Sequence, residues 1–146
     1  MTEIGFYHLT RTKLEQALPA LLGRTLAAGE RAVVLCASAD RVDALDRLLW
    51  DCAEPEWLPH GTGRTGDADL QPIWLTDTDE RPNGARFLFI LDGREAEPAD
   101  WSRVFDLFDG QDEAQVDAAR QRWTKARSAG HALTYWRQAE RGWTKG

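Results

Sequence analysis

Sulfur is scarce in this chain: Cys36, Cys52 and Met1 are its whole complement. Two cysteines cannot build a disulfide framework and fit a reducing compartment. No apolar run approaches the ~20 residues that a bilayer-spanning helix needs, which excludes a membrane span by that route. The opening stretch MTEIGFYHLTRTK lacks the basic start and apolar core of a signal peptide, so the expected location is the cytoplasm. What is present is buriable surface. Seven Trp and five Phe within 146 residues, 42% hydrophobic and 29% charged, exclude a disordered chain and suit one soluble domain.

Charge is unevenly placed. Residues 1–118 hold 11 Lys/Arg against 23 Asp/Glu, whereas residues 119–146 hold seven against Glu140 alone. An acidic body repels a phosphate backbone, which argues against broad nucleic-acid binding. The basic last quarter either attracts a local acidic partner or is a solvated helix face.

Hydrophobic periodicity gives the coarse order of elements. Ile4–Leu9 reads as a strand, and Leu14, Leu18, Leu21, Leu22 and Leu26 then recur at helical spacing up to Gly29, with Pro19 as a candidate kink. Ala32–Ala37 is apolar throughout, as in a strand covered on both faces. Asp40 is placed to cap a second helix carrying Val42, Leu45, Leu48, Leu49 and Cys52. Gly61–Asp69 reads as a loop, Pro72–Thr76 as a short strand and Arg86–Asp92 as a further strand. Pro98 suits the first turn of a helix burying Trp101, Val104, Phe105 and Phe108 and stopping at Gly110; another helix spans about Asp112–Ala129. Such alternation predicts a single α/β domain over residues 1–146, a three-layer sandwich around a largely parallel, mixed sheet. Residues 131–146 form a candidate C-terminal extension.

Catalytic and cofactor motifs are missing. The first strand-to-helix turn, HLTRTKLEQ, has no glycine to let a backbone approach a pyrophosphate. GTGRTGD at Gly61–Asp67 matches GxGxxG only superficially, since it reads as following no strand and opening no periodic helix. His8, His60 and His131 lack the close pairing of a zinc helix. Cys36 sits in an apolar run, where a thiol is an inert hydrophobe. Asp77, Asp79 and Glu80 flank Pro82 and Asn83 in what reads as a solvated turn. No cofactor, metal or catalytic constellation is expected.

The helix Asp112–Ala129 carries the informative pattern. At about 100° per residue, Val116, Arg120, Trp123 and Arg127 share one stripe, while Ala118, Ala119, Ala126 and Ala129 cluster elsewhere for close packing. Tryptophan between two arginines offers an apolar platform with donors for a carboxylate. Alternatively, Trp123 covers the core edge and the arginines extend past it into water. A third possibility is direct single-strand binding, with bases stacked on Trp123 and Trp136 between arginines.

An ordered set of short elements resembles the chi subunit family of bacterial DNA polymerase III: Phe6-Tyr7-His8-Leu9, Leu45–Trp50 (LDRLLW), Trp57-Leu58-Pro59-His60, the Pro72–Leu75 and Ala85–Asp92 strands, and Ala119–Trp123 (ARQRW) with Arg127–Gly130. The resemblance implies a non-catalytic accessory protein of the clamp loader, without cofactor, whose Rossmann-like fold has lost nucleotide binding. It implies one surface for the acidic C-terminal tail of the single-stranded-DNA-binding protein, mapped here to Arg120, with Val116, Trp123 and Arg127 on its stripe and Trp50 as a pocket wall. Where some relatives carry lysine this chain has Val116, one charge fewer. It implies a second surface for the psi subunit at Trp57, Leu58, Pro59 and His60, where an exposed aromatic would be the anchor. DNA is then reached only indirectly, and no membrane is involved.

Overall fold

The computed structural model describes residues 2–51, 58–140 and 142–145; Cys52 and Trp57 lie outside them. In chain order the elements are β1 (Glu3–Leu9), α1 (Leu14–Ala27), β2 (Ala32–Leu35), α2 (Ala39–Asp51), β3 (His60–Gly61), β4 (Ile73–Thr76), β5 (Phe87–Ile90), β6 (Arg103–Asp109), α3 (Glu113–Ser128), β7 (Ala132–Gln138) and β8 (Trp143–Lys145). Among the described residues the strands form one sheet in the order β3-β4-β2-β5-β6-β1-β7-β8. Every pairing is parallel except the antiparallel β7–β8 edge.

Strand alternation divides the core between two faces. Val34, Cys36, Phe89, Phe105 and Leu107 pack with Leu18, Leu21 and Leu22 of α1 and Val42, Leu45 and Leu49 of α2. Val33, Leu35, Ile4, Phe6, Val104 and Phe108 point the other way and pack with Ala119 and Ala126 of α3. The result is the expected three-layer α/β sandwich, with α1 and α2 on one face and α3 on the other. Pro19 lies inside α1, and the helix continues through it.

The segment after Pro98 departs from expectation. Pro98–Asp100 is only a short 3₁₀ turn, and the residues read as a helix are strand β6. Val104, Phe105, Leu107 and Phe108 satisfy helical spacing and a doubly buried strand equally well. Position decides: β6 lies between β1 and β5, so both of its faces are covered. Three smaller features also differ from expectation. Ser38, not Asp40, caps α2, its hydroxyl accepting from the Arg41 N–H at 3.2 Å. Gly61 belongs to β3, so the GxGxxG match does follow a short strand, though Thr62–Gly66 then closes a turn on its own backbone. The acidic turn after β4 is tied down, because Glu80 accepts from Trp74 Nε1 at 2.9 Å and Thr76 Oγ1 at 2.8 Å, while Asn83 is buried.

The C-terminal segment completes the sheet. β7 runs in register beside β1, and Trp136 and Trp143 both pack against Tyr7. Gln138 at the end of β7 also fills the first strand-to-helix turn. Its side-chain oxygen accepts from the backbone N–H groups of Arg11 and Thr12 at 2.9 and 3.0 Å. A phosphate in a dinucleotide fold would use donors of this kind.

Candidate carboxylate-binding pocket

Helix α3 is fixed by ordinary local rules. Asp112 accepts from the N–H groups of Ala114 and Gln115, and Gly130 takes the left-handed φ of 86° that follows the helix end. Ala119 and Ala126 let the helix approach the sheet closely. Between them Arg122, 9% exposed, turns inward to Asp106 on β6, with Nε–Oδ2 at 2.6 Å and Nη2–Oδ1 at 2.9 Å. Burial raises the Asp106 carboxyl above its ordinary range, while the guanidinium pulls it back down.

With the helix docked this way, its Val116–Trp123 stripe lies over the end of the sheet. A cavity of about 110 Å³ opens there, lined by Val116, Ala119, Arg120 and Trp123 together with Phe6 and His8 of β1, Phe108 of β6 and Tyr135 of β7. Trp123 stands edge-on to Phe6 at 5.2 Å, and His8 stacks on Phe108 at 4.9 Å. Walls of this kind accept an apolar ring. Arg120 stands at the rim with its side chain 77% exposed, its Asp117 partner 3.6 Å away. A loose exposed pair holds a guanidinium only weakly, so Arg120 can turn to an incoming anion.

His8 shapes the inner end. Its Nδ1 is hydrogen-bonded to the Tyr135 hydroxyl. The ring also lies so close to the Gly110 backbone that a Cβ on Gly110 would fall 2.2 Å from Nε2. Burial lowers the His8 pKa below the ordinary imidazole value, and the charges of Arg137 and Arg120 push it further down, against the pull of the Gly110 hydrogen bond. The site is therefore apolar in its walls and positive in its potential.

The sequence-derived candidates are thus partly brought together. Arg120, Val116 and Trp123 meet at the cavity; Arg127 is exposed further along α3 and does not line it. Trp50 is on α2, beyond the opposite face of the sheet, where it is 57% exposed and packs against His60 at 4.4 Å between ring centres. It cannot wall a pocket that holds Arg120. Leu58 and His60 are 2% and 4% exposed, so neither is an outward anchor, and Pro59 is half-buried. His60 Nδ1 donates to the Leu58 carbonyl at 2.6 Å and its Nε2 stands 3.0 Å from the Asp46 carboxylate. Trp57 lies outside the described residues. Trp123 and Trp136 pack into opposite faces of the sheet, so they cannot form one base-stacking platform.

His8, Tyr135 and the Asp106–Arg122 pair were not singled out from the sequence. A strand-parity rule carried across the β1–β7 pairing would have found the first two, had residues 132–138 been read as a strand. A larger cavity, about 340 Å³, lies between α3 and residues 95–98, floored by Ile4, Phe6, Ile90 and Val104. Its charged lining is mixed: Asp79, Glu95 and Glu97 face Lys125 and His131, and Arg122 is already paired with Asp106. Among the described residues no cluster of three or more His, Cys, Asp or Glu is placed to hold a metal ion, and no helix is long and apolar enough to cross a membrane.

Fold and pocket define an α/β sandwich of Rossmann-like layering with a filled first turn and a small basic pocket beside its last helix. Over residues 1–134 the chain matches the family described as DNA polymerase III chi subunit, HolC, and it belongs to that family. It is similar to the probable DNA polymerase III subunit chi of Rickettsia prowazekii (strain Madrid E), with 23% identity over 107 residues. That alignment covers 73% of this chain and 62% of the relative, so the chain spans under two thirds of that protein's length.

Proposed function

We propose that this protein is a non-catalytic replisome adaptor that captures the acidic C-terminal tail of the single-stranded-DNA-binding protein and joins it to the clamp loader through the psi subunit. The observation that carries the proposal is the convergence of Arg120 with aromatic walls from Phe6, Phe108 and Trp123 around one small cavity. An aromatic end residue fills the apolar part, its free carboxylate pairs with Arg120, and preceding aspartates meet the basic surround of α3 and Arg137. Binding to psi is assigned to the opposite side of the sheet, around the exposed Trp50 and the half-buried Pro59, so both partners are held at once.

The test is calorimetric titration of the full chain with a synthetic peptide of aspartates ending in phenylalanine, as free acid and as C-terminal amide. The free acid should bind about tenfold or more tightly than the amide, as a hydrogen bond to a charged group requires. Equal affinity for the two, or binding of oligothymidine without binding of either peptide, would overturn the proposal.

A further inference from the structure

Tyr135 and His8 hold a proton whose direction decides what the pocket offers. His8 lies between the Tyr135 hydroxyl at Nδ1 and the Gly110 backbone packed against Nε2. In the neutral ring with its proton on Nε2, Nδ1 takes the tyrosine's. Tyr135 is then a spent donor, presenting oxygen lone pairs to the cavity it lines with Arg120. Lone pairs repel a carboxylate. If Nδ1 gains a proton, it donates to the Tyr135 oxygen, and the hydroxyl hydrogen is free to turn toward the ligand.

Resting on the peptide-capture reading above, we infer that the pocket takes its carboxylate ligand together with one proton from solvent, which binds His8 Nδ1 while Tyr135 redirects its hydroxyl to the carboxylate beside Arg120. The groups around the ring fix the sign. From β7 come Tyr135 and Arg137, which pairs with His8 in the strand register; from β6 come Phe108 and, one residue on, Asp109; from α3 comes Arg120 with Asp117 beside it. In the empty pocket burial and the two arginines oppose a third positive charge. A bound carboxylate neutralises that field and favours the imidazolium. His8 thereby serves as a positioning residue, and Tyr135 as a second donor to the ligand.

The experiment is titration of the full chain with the free-acid aspartate–phenylalanine peptide between pH 5.5 and 8, in two buffers of different ionisation heat. Peptide carboxylates do not titrate in this range, and His60 and His131 do not line the pocket. Affinity should rise as pH falls, by up to tenfold per pH unit, with uptake of up to one proton read from the buffer dependence. His8→Gln, which cannot charge, should bind with a flat profile, and Tyr135→Phe should lose affinity at pH 5.5 more than at pH 8. Binding that is pH-independent in the unaltered chain, or a slope that survives His8→Gln, overturns the proton linkage while leaving peptide capture intact. No binding at any pH overturns both.

Discussion

Arg122 reaches from the sheet-facing side of α3 to Asp106 in the middle of β6 and closes two hydrogen bonds at 2.6 and 2.9 Å. The pair is buried among apolar residues and locks the helix that carries the candidate site. Removing one partner leaves an uncompensated charge out of water. Arg122→Ala or Asp106→Ala should each cost about 3–5 kcal/mol of folding free energy. Replacing both together with apolar residues, as in Asp106→Leu with Arg122→Met, should cost clearly less than the two single changes summed. Denaturant unfolding of the four proteins measures this, and additive costs would show that the bonds do not couple.

Arg120 is expected to behave in the opposite manner. Its side chain is largely exposed and its contact with Asp117 is long, so Arg120→Ala should shift stability by no more than about 0.5 kcal/mol. The same change should weaken tail-peptide binding by about 1.5–3 kcal/mol. Raising salt should weaken the unaltered protein's binding too, because screening shortens charge reach to ~8 Å near physiological ionic strength. Unchanged affinity in Arg120→Ala would remove this residue from the site.

Trp50 tests the separation of the two faces. It stands on α2 beside His60, across the sheet from α3. Trp50→Ala should therefore leave tail-peptide affinity within about twofold of the unaltered protein while reducing capture of the psi subunit. Pull-down with purified psi and a parallel peptide titration separate the outcomes. A loss of peptide binding alone would contradict the assignment.

Cys36 gives a check on the core. Burial pushes its thiol up to about 12, and it lies at the end of β2 against α1 and α2. The reactive form is the thiolate. In a Cys52→Ser background, Cys36 should resist a thiol reagent at pH 8 and react fully once denaturant is added. Prompt labelling of the native protein would show that this face of the sheet opens readily.

Much of the layering was legible because it rests on simple periodicity. The leucines of α1 repeat every three or four residues, and Ala32–Leu35 is apolar without break. β6 was misread because Val104–Phe108 fits both periods, and only its place between two other strands settles which applies. The site was half legible. Val116, Arg120 and Trp123 follow from one helical stripe, whereas His8 and Tyr135 come from strands far apart in sequence, and only the sheet register places them together. Trp50 went to the wrong face because the order of elements along the chain does not say which side of a sheet a helix covers.

Mapping amide and side-chain NMR shifts during titration with the free-acid aspartate–phenylalanine peptide tests the central claim most directly. The largest changes should fall on His8, Val116, Arg120, Trp123 and Tyr135, with Trp50 and His60 unmoved. Changes concentrated at Trp50 and His60, with the α3 pocket silent, would contradict the account.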